Sequence, residues 1–223
     1  MSLIRVAGRA EQQLFPNEAF SRSRTDIFLP HCHVKATEIT IQIVLDNDIS
    51  VIIPTRDIYD TLVSLWDHLL NMGVLICPAF IPDDFKDMTM RQQAAFIIRL
   101  ILPWYVNFYA SWAIAEERYP LRMLWLPYEH TLADPTTALY ECCRHIGVKR
   151  TPQQIKDAIA KAQQEQTRFN VGVPGRGRTE FTPEERADID FTLMRHRNPT
   201  ITKVIKRIWT PHQLATKNPS YDI

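Results

Sequence analysis

The segment that most narrows the folds open to this chain is residues 50–73. Residues 50–55 (SVIIPT) are a continuous apolar run, as expected of a strand covered on both faces of a parallel sheet, and Pro54 suggests its end. Asp57 follows as an N-cap with Asp60 in the first turn, and Leu62, Leu65, Trp66 and Leu69 keep helical spacing up to Gly73. The segment reads as strand, tight turn, helix. A second unit repeats the pattern: residues 122–127 (RMLWLP) read as a buried strand, and Asp134-Pro135 opens a helix to Ile146 that Gly147 closes.

The rest of the chain is helix-rich. Residues 26–30 suggest a short strand ending near Pro30, and 38–45 (EITIQIVL) lie between strand and helix, with topology favouring a helix between parallel strands. Residues 90–118 predict a long helix broken at Pro103, and further helices are expected from Pro152 to about Gln166 and from Pro183 to about His196. Between these last two, residues 168–179 (RFNVGVPGRGRT) hold three of the six glycines of a glycine-poor chain. A loop that concentrates glycine and arginine in this way is the least ordinary segment here.

Length and composition set the outer bounds. With 223 residues, 45% hydrophobic and 23% charged, a single ordered domain is expected, comprising a poorly defined segment 1–26, the main body, and a C-terminal extension 198–223. A formal charge of +1 provides no overall field to gather nucleic acid or an anionic membrane, so any anion site must be local. No apolar run is long enough to span a bilayer without interruption, and the N-terminus lacks a signal-peptide pattern, so a cytoplasmic location is expected. Cys32, Cys77, Cys142 and Cys143 form no CxxC pair and read as reduced thiols, and the histidines show no metal-ligand spacing, so no metal site is expected.

Chemistry concentrates first at Arg56, at the carboxyl end of the first apolar strand, with Ser64 eight residues on. Open α/β sheets bind ligands at the carboxyl ends of their strands, a helix N-terminus favours an anion, and a guanidinium is a fork of donors suited to phosphate. A pairing of Arg56 with Asp57 or Asp60 is the alternative without a ligand.

The stretch from Thr55 to Ser64 (TRDIYDTLVS) resembles the 3′-phosphate motif of the sulfotransferase family. Residues 125–129 (WLPYE), followed by Asp134-Pro135, look like that family's strand ending in Tyr-Glu, and the glycine and arginine loop resembles its late loop across the donor nucleotide. The resemblance covers roughly residues 27–190. It implies a P-loop-like sulfotransferase fold, a mostly parallel sheet flanked by helices, with 3′-phosphoadenylyl sulfate (PAPS) as donor substrate. Arg56 and Ser64 would hold the 3′-phosphate, Tyr128 would lie near the adenosine, and Arg176 with the backbone of Gly175 and Gly177 would close over the phosphate. The acceptor would be a hydroxyl or amine of a small molecule or glycan.

In that family a histidine after an early strand takes the acceptor's proton, and a neutral imidazole suits this near pH 7. His33 is the expected base, with His31, on the same face of an extended segment, as the alternative. The chain departs from the family ahead of these residues. No Lys-Ser-Gly-Thr-like loop for the 5′-phosphosulfate precedes His31, only Val6-Ala7-Gly8-Arg9, so the first β-loop-α unit is expected to be missing. Loss of one contact to the leaving oxygen typically costs on the order of 3 kcal/mol. A truncated or non-catalytic relative that binds nucleotide or a protein partner is therefore the alternative reading, and self-association through an uncovered sheet edge would follow from the same absence.

Overall fold

The computed structural model describes residues 3–6, 27–30, 33–72, 80–164, 175–195 and 199–208. Strand β3 (Val51–Thr55) and strand β4 (Met123–Pro127) pair in parallel, with Val51 opposite Met123 and Thr55 opposite Pro127. A parallel pair needs a long crossover, and here it is helical: α2 (Ile58–Met72), a 3₁₀ turn (Asp83–Asp87), α3 (Met90–Phe96) and α4 (Leu102–Arg118). Helix α1 (Glu38–Asp46) precedes β3. After β4 come α5 (Tyr128–Ala133), α6 (Pro135–His145), α7 (Pro152–Gln164), a single turn α8 (Gly177–Glu180), α9 (Pro183–Arg195) and α10 (Pro199–Ile208). The α/β class and the parallel pairing agree with the expectation.

Strand β1 (Leu3–Val6) pairs in parallel with β2 (Ile27–Pro30), Leu3 lying opposite Ile27. A strand therefore does stand ahead of the histidine segment, and the expected lack of a first β-loop-α unit does not extend to its strand. The residues that would form the loop, 7–26, lie outside the described ones.

Helix α1 forms despite its β-branched residues because Thr37 caps it, its side chain accepting from the Thr40 amide at 3.2 Å, and because Ile41 and Val44 are buried. Asp48, at φ 50, then turns the chain into β3, a left-handed conformation that aspartate tolerates better than most residues. Helix α2 starts on the Asp57 carboxylate, which accepts from the amides of Tyr59 (3.0 Å) and Asp60 (3.3 Å). Burial pushes the Asp57 carboxyl up from its ordinary range, opposed by these amides and by Arg178. Ile58, Leu62, Trp66 and Leu69 bury the inner stripe of α2.

The stretch 90–118 does not break at Pro103. A π turn at Ile97–Ile101 carries α3 into α4. Proline has no N–H to donate, and its ring would collide with the carbonyl four residues back; one widened turn relieves both. Ile97, Ile98, Ile101 and Leu102 are buried there. By length and composition the stretch could cross a membrane, but 61% of its most apolar window is buried inside the fold, as in a core helix. Gln93 ties its start to the core: it accepts from Trp66 Nε1 (2.8 Å) and donates to the carbonyls of Phe85 (2.9 Å) and Met88 (3.1 Å).

Two expectations need revision in detail. Val51, Ile53 and Thr55 of β3 are buried, but Pro54 and Pro127 are exposed and the rest of the pair only half-buried, so the strands are not equally covered on both faces. The region 198–223, expected as an extension, begins with α10, which packs on α4 and buries Ile205 and Ile208.

Candidate functional site

The parallel register decides where the chemistry collects. Thr55 and Pro127 are partners, so the next residues, Arg56 and Tyr128, leave the sheet side by side at its carboxyl end. The Arg56 guanidinium lies over the Tyr128 ring, 4.7 Å from its centroid. Neither acid weighed as its partner is bonded to it. Asp57 caps α2 and also approaches Arg178 (3.7 Å), while Asp60 is engaged with the glycine and arginine loop. Among the described residues Arg56 has no carboxylate partner, and its Nε is buried without an acceptor, as is the neighbouring Thr55 hydroxyl. Two orphaned donors at a strand end are a costly arrangement for a protein interior unless something else meets them.

Ser64 lies two turns into α2. At helical spacing Asp60, Ser64 and Asp67 share one stripe. The loop is fastened to both acids. Asp60, 3% exposed, accepts from the amides of Gly175 (2.7 Å, Oδ2) and Gly177 (2.8 Å, Oδ1), and Arg176 forms a salt bridge with Asp67. Arg178 stacks on Tyr59 at 5.7 Å, and Arg186 donates to the carbonyls of Arg178 (2.7 Å) and Phe181 (2.8 Å). Residues 175–177 thus lie against the stripe of α2 that includes Ser64. The groups expected to close over phosphate have protein partners instead: the Gly175 and Gly177 amides point at Asp60, and Arg176 at Asp67. The physical reason is charge matching, since an acidic stripe meets a loop of donors and cations.

His33 leads into the segment before α1, and His31 lies outside the described residues. The His33 ring meets Trp104, Tyr105 and Phe108 edge-on at 5.0, 5.6 and 5.5 Å between centroids, while the residue keeps an exposed side. Loss of water on the aromatic side lowers its pKa from the ordinary value. The backbone there is fixed to α4, with Trp112 Nε1 donating to the Val34 carbonyl (2.7 Å) and the Ala36 amide to Ser111 Oγ (3.1 Å). One turn beyond Tyr105, the Tyr109 hydroxyl donates to the Pro54 carbonyl (3.4 Å) at the end of β3. Helix α4 therefore carries His33 and the Arg56 strand end on neighbouring rings. Trp104, Tyr105, Tyr109 and Trp112 are buried, as core residues.

Sequence reasoning passed over two residues. Asp60 is expected from the sequence as a first-turn acid or a partner of Arg56, not as an anchor of the loop, although its place on the Ser64 stripe is visible in the spacing. Glu129, whose carboxylate accepts from the Asp57 amide (3.1 Å), joins the start of α2 to α5, a contact across 72 positions that no local pattern signals.

The family model described as sulfotransferase domain matches residues 11–173, well over half of the chain. The chain belongs to the sulfotransferase family. The match takes in His33, Arg56, Ser64 and Tyr128 and stops short of Gly175, so the place of the loop beside the candidate site rests on its geometry. Among solved structures, mouse sulfotransferase SULT7A1 complexed with PAP is similar at a TM-score of 0.58 and 14% identity, over 80% of this chain and 70% of that one. That likeness concerns the fold. No curated protein matches the chain.

Gly177 provides a test of how tightly the loop is seated on α2. A Cβ there would lie 2.2 Å from the carbonyl carbon of Tyr59, 2.4 Å from its oxygen and 2.5 Å from the Asp60 nitrogen, all backbone atoms of α2. Gly177→Ala must lift the loop from the helix. Overpacking of this kind costs about 1–3 kcal/mol, so a clear fall in melting temperature is expected. An unchanged melting curve would show that the loop does not rest on α2 in solution.

Proposed function

We propose that this chain transfers a sulfuryl group from 3′-phosphoadenylyl sulfate to a hydroxyl or amine of a small molecule or glycan. The observation that carries the reading is Arg56: a cation with a buried, unpaired Nε at the carboxyl end of a parallel strand, with no carboxylate partner among the described residues. A 3′-phosphate fits this setting by charge and by donor geometry, and Ser64 on the next helix adds a hydroxyl. Tyr128, under the guanidinium, offers a ring to the adenine side of the nucleotide. The PAP carried by SULT7A1 is of the same chemical class as the nucleotide proposed here.

His33 is the proposed base. Its lowered pKa keeps the imidazole neutral near pH 7, able to accept the proton of the attacking group. As the acceptor oxygen or nitrogen bonds to sulfur, the bond from sulfur to the phosphate oxygen breaks. Adenosine 3′,5′-bisphosphate departs with the electron pair, and the proton resides on His33.

The second reading, a nucleotide-binding protein without transferase activity, is favoured by one observation: Val6-Ala7-Gly8-Arg9 supplies neither the lysine nor the hydroxyl of the family's 5′-phosphosulfate loop. Two measurements on the full chain separate the readings. Calorimetric titration with adenosine 3′,5′-bisphosphate beside adenosine 5′-monophosphate is expected to show tighter binding of the bisphosphate; equal or absent binding would defeat both. Transfer of ³⁵S from labelled donor to a panel of phenols, alcohols, amines and glycans then supports the first reading, and binding without transfer supports the second.

A further inference from the structure

Asp60 is a charged group buried among the described residues, and the proposed chemistry gives it no task. Both of its oxygens are engaged by amides of the glycine and arginine loop, whose neighbouring arginine is fastened to Asp67. The rise of 1.5 Å per residue sets Asp60 and Asp67 about 10 Å apart along α2, with Ser64 between them. Anchors at those two points lay the Arg176 side chain along the face that carries the Ser64 hydroxyl. Gly177 sits directly on the helix backbone, in a gap too narrow for a Cβ. Residues 175–177 thus rest on the stripe of α2 that includes Ser64, and Asp60 anchors them.

We infer that Asp60 is a positioning residue, which holds the Gly175–Gly177 roof over Ser64 and so sets the preference of the site for a 3′-phosphorylated nucleotide. The inference rests on the proposed 3′-phosphate site and adds the element that encloses it. An unpaired carboxylate so near a phosphate would repel it. With both oxygens accepting charge-assisted hydrogen bonds, Asp60 instead shapes the cavity from behind the loop. Asp60→Asn keeps the size of the side chain but presents an NH₂ group to one of the two amides, so the roof is released at that bond while α2 keeps its Asp57 cap.

The test compares the full chain with its Asp60→Asn variant by calorimetric titration with the same two nucleotides, alongside melting curves. A purely structural role would lower the melting temperature and leave the ratio of the two dissociation constants unchanged. The positioning role predicts that the preference for the bisphosphate falls on the order of tenfold or more, while binding of the monophosphate is little altered. A folded variant with the wild-type ratio overturns the inference and leaves the 3′-phosphate site standing. A wild-type chain with no preference overturns both together. If the variant does not fold, hydrogen exchange of the wild-type segment 175–180 decides. Slower exchange with the bisphosphate than with the monophosphate supports the roof, and equal exchange overturns it.

Discussion

Arg56→Ala is expected to abolish the preference for adenosine 3′,5′-bisphosphate over adenosine 5′-monophosphate while leaving the fold intact. Truncating one member of a desolvated, hydrogen-bonded charge pair costs about 2–5 kcal/mol of binding, a loss of roughly 30-fold or more in Kd. The cost to the folded protein should be small. Arg56 has no carboxylate partner among the described residues, and the protein contact it loses is the Tyr128 ring. A cation–π contact of that kind contributes about 0.5–2 kcal/mol, and removing a donor that is buried without an acceptor recovers part of it. A residue retained for stability would behave in the opposite way, with a lower melting temperature and unchanged nucleotide binding. Paired titrations and melting curves of the two proteins distinguish these patterns, and a bisphosphate preference that survives in the alanine variant would exclude Arg56 from the site.

The β3–α2 segment, β4 and α6 were legible because their signals are local, whereas the short helix α5 between β4 and α6 was not anticipated. An apolar run of strand length, an aspartate cap and apolar residues at helical spacing all lie within about twenty positions of one another, and each points to the same structure. The ambiguity of 38–45 was also physical. Its β-branched residues suit a strand, and the decision falls to Thr37, a cap one position ahead of the run, together with the burial of Ile41 and Val44. Strand β1 was not anticipated because four residues, one of them Arg5, carry too little pattern to separate from loop. The π turn escaped for a different reason. Proline announces a disturbance of the helix, but whether the chain breaks or widens by one residue depends on whether Ile97, Ile98 and Ile101 have a core to bury themselves in, and that core is assembled from α2 and α9.

For the site, the sequence was informative about which residues matter and silent about how they pair. Arg56 and Tyr128 are adjacent because Thr55 and Pro127 share a register, and register between strands seventy positions apart is a tertiary property. Gly175 and Gly177 were singled out by composition, and their amides were expected to face phosphate. The structure instead turns them to Asp60, 115 positions earlier in the case of Gly175. That expectation came from reading the loop alone. Once α2 is drawn as a helix, its acidic stripe of Asp60 and Asp67 stands opposite a loop carrying arginine and free amides, and the nearest opposite charge claims them.

Replacement of His33 by asparagine should separate chemistry from nucleotide binding. Asparagine keeps a polar side chain against Trp104, Tyr105 and Phe108 but cannot accept a proton near neutrality, so the rate of transfer should fall about 10²–10⁴-fold, the usual worth of a general base. Bisphosphate affinity should be unchanged, because the proposed phosphate contacts lie just after β3 and on α2. The wild-type pH profile carries a second sign. Burial lowers the pKa of His33, so the neutral form dominates at a lower pH than for a free imidazole, and the acidic limb of the rate profile should have its midpoint below the ordinary 6.5. Linkage runs the same way for stability. The unfolded chain takes up this proton first as pH falls below 6.5, so folding loses the contribution of a neutral His33 progressively down to its lowered folded pKa. His33→Asn should remove both the kinetic limb and that part of the acid destabilisation. Retention of the acidic limb in the asparagine variant would pass the role of base to another group, and His31 is the first to replace.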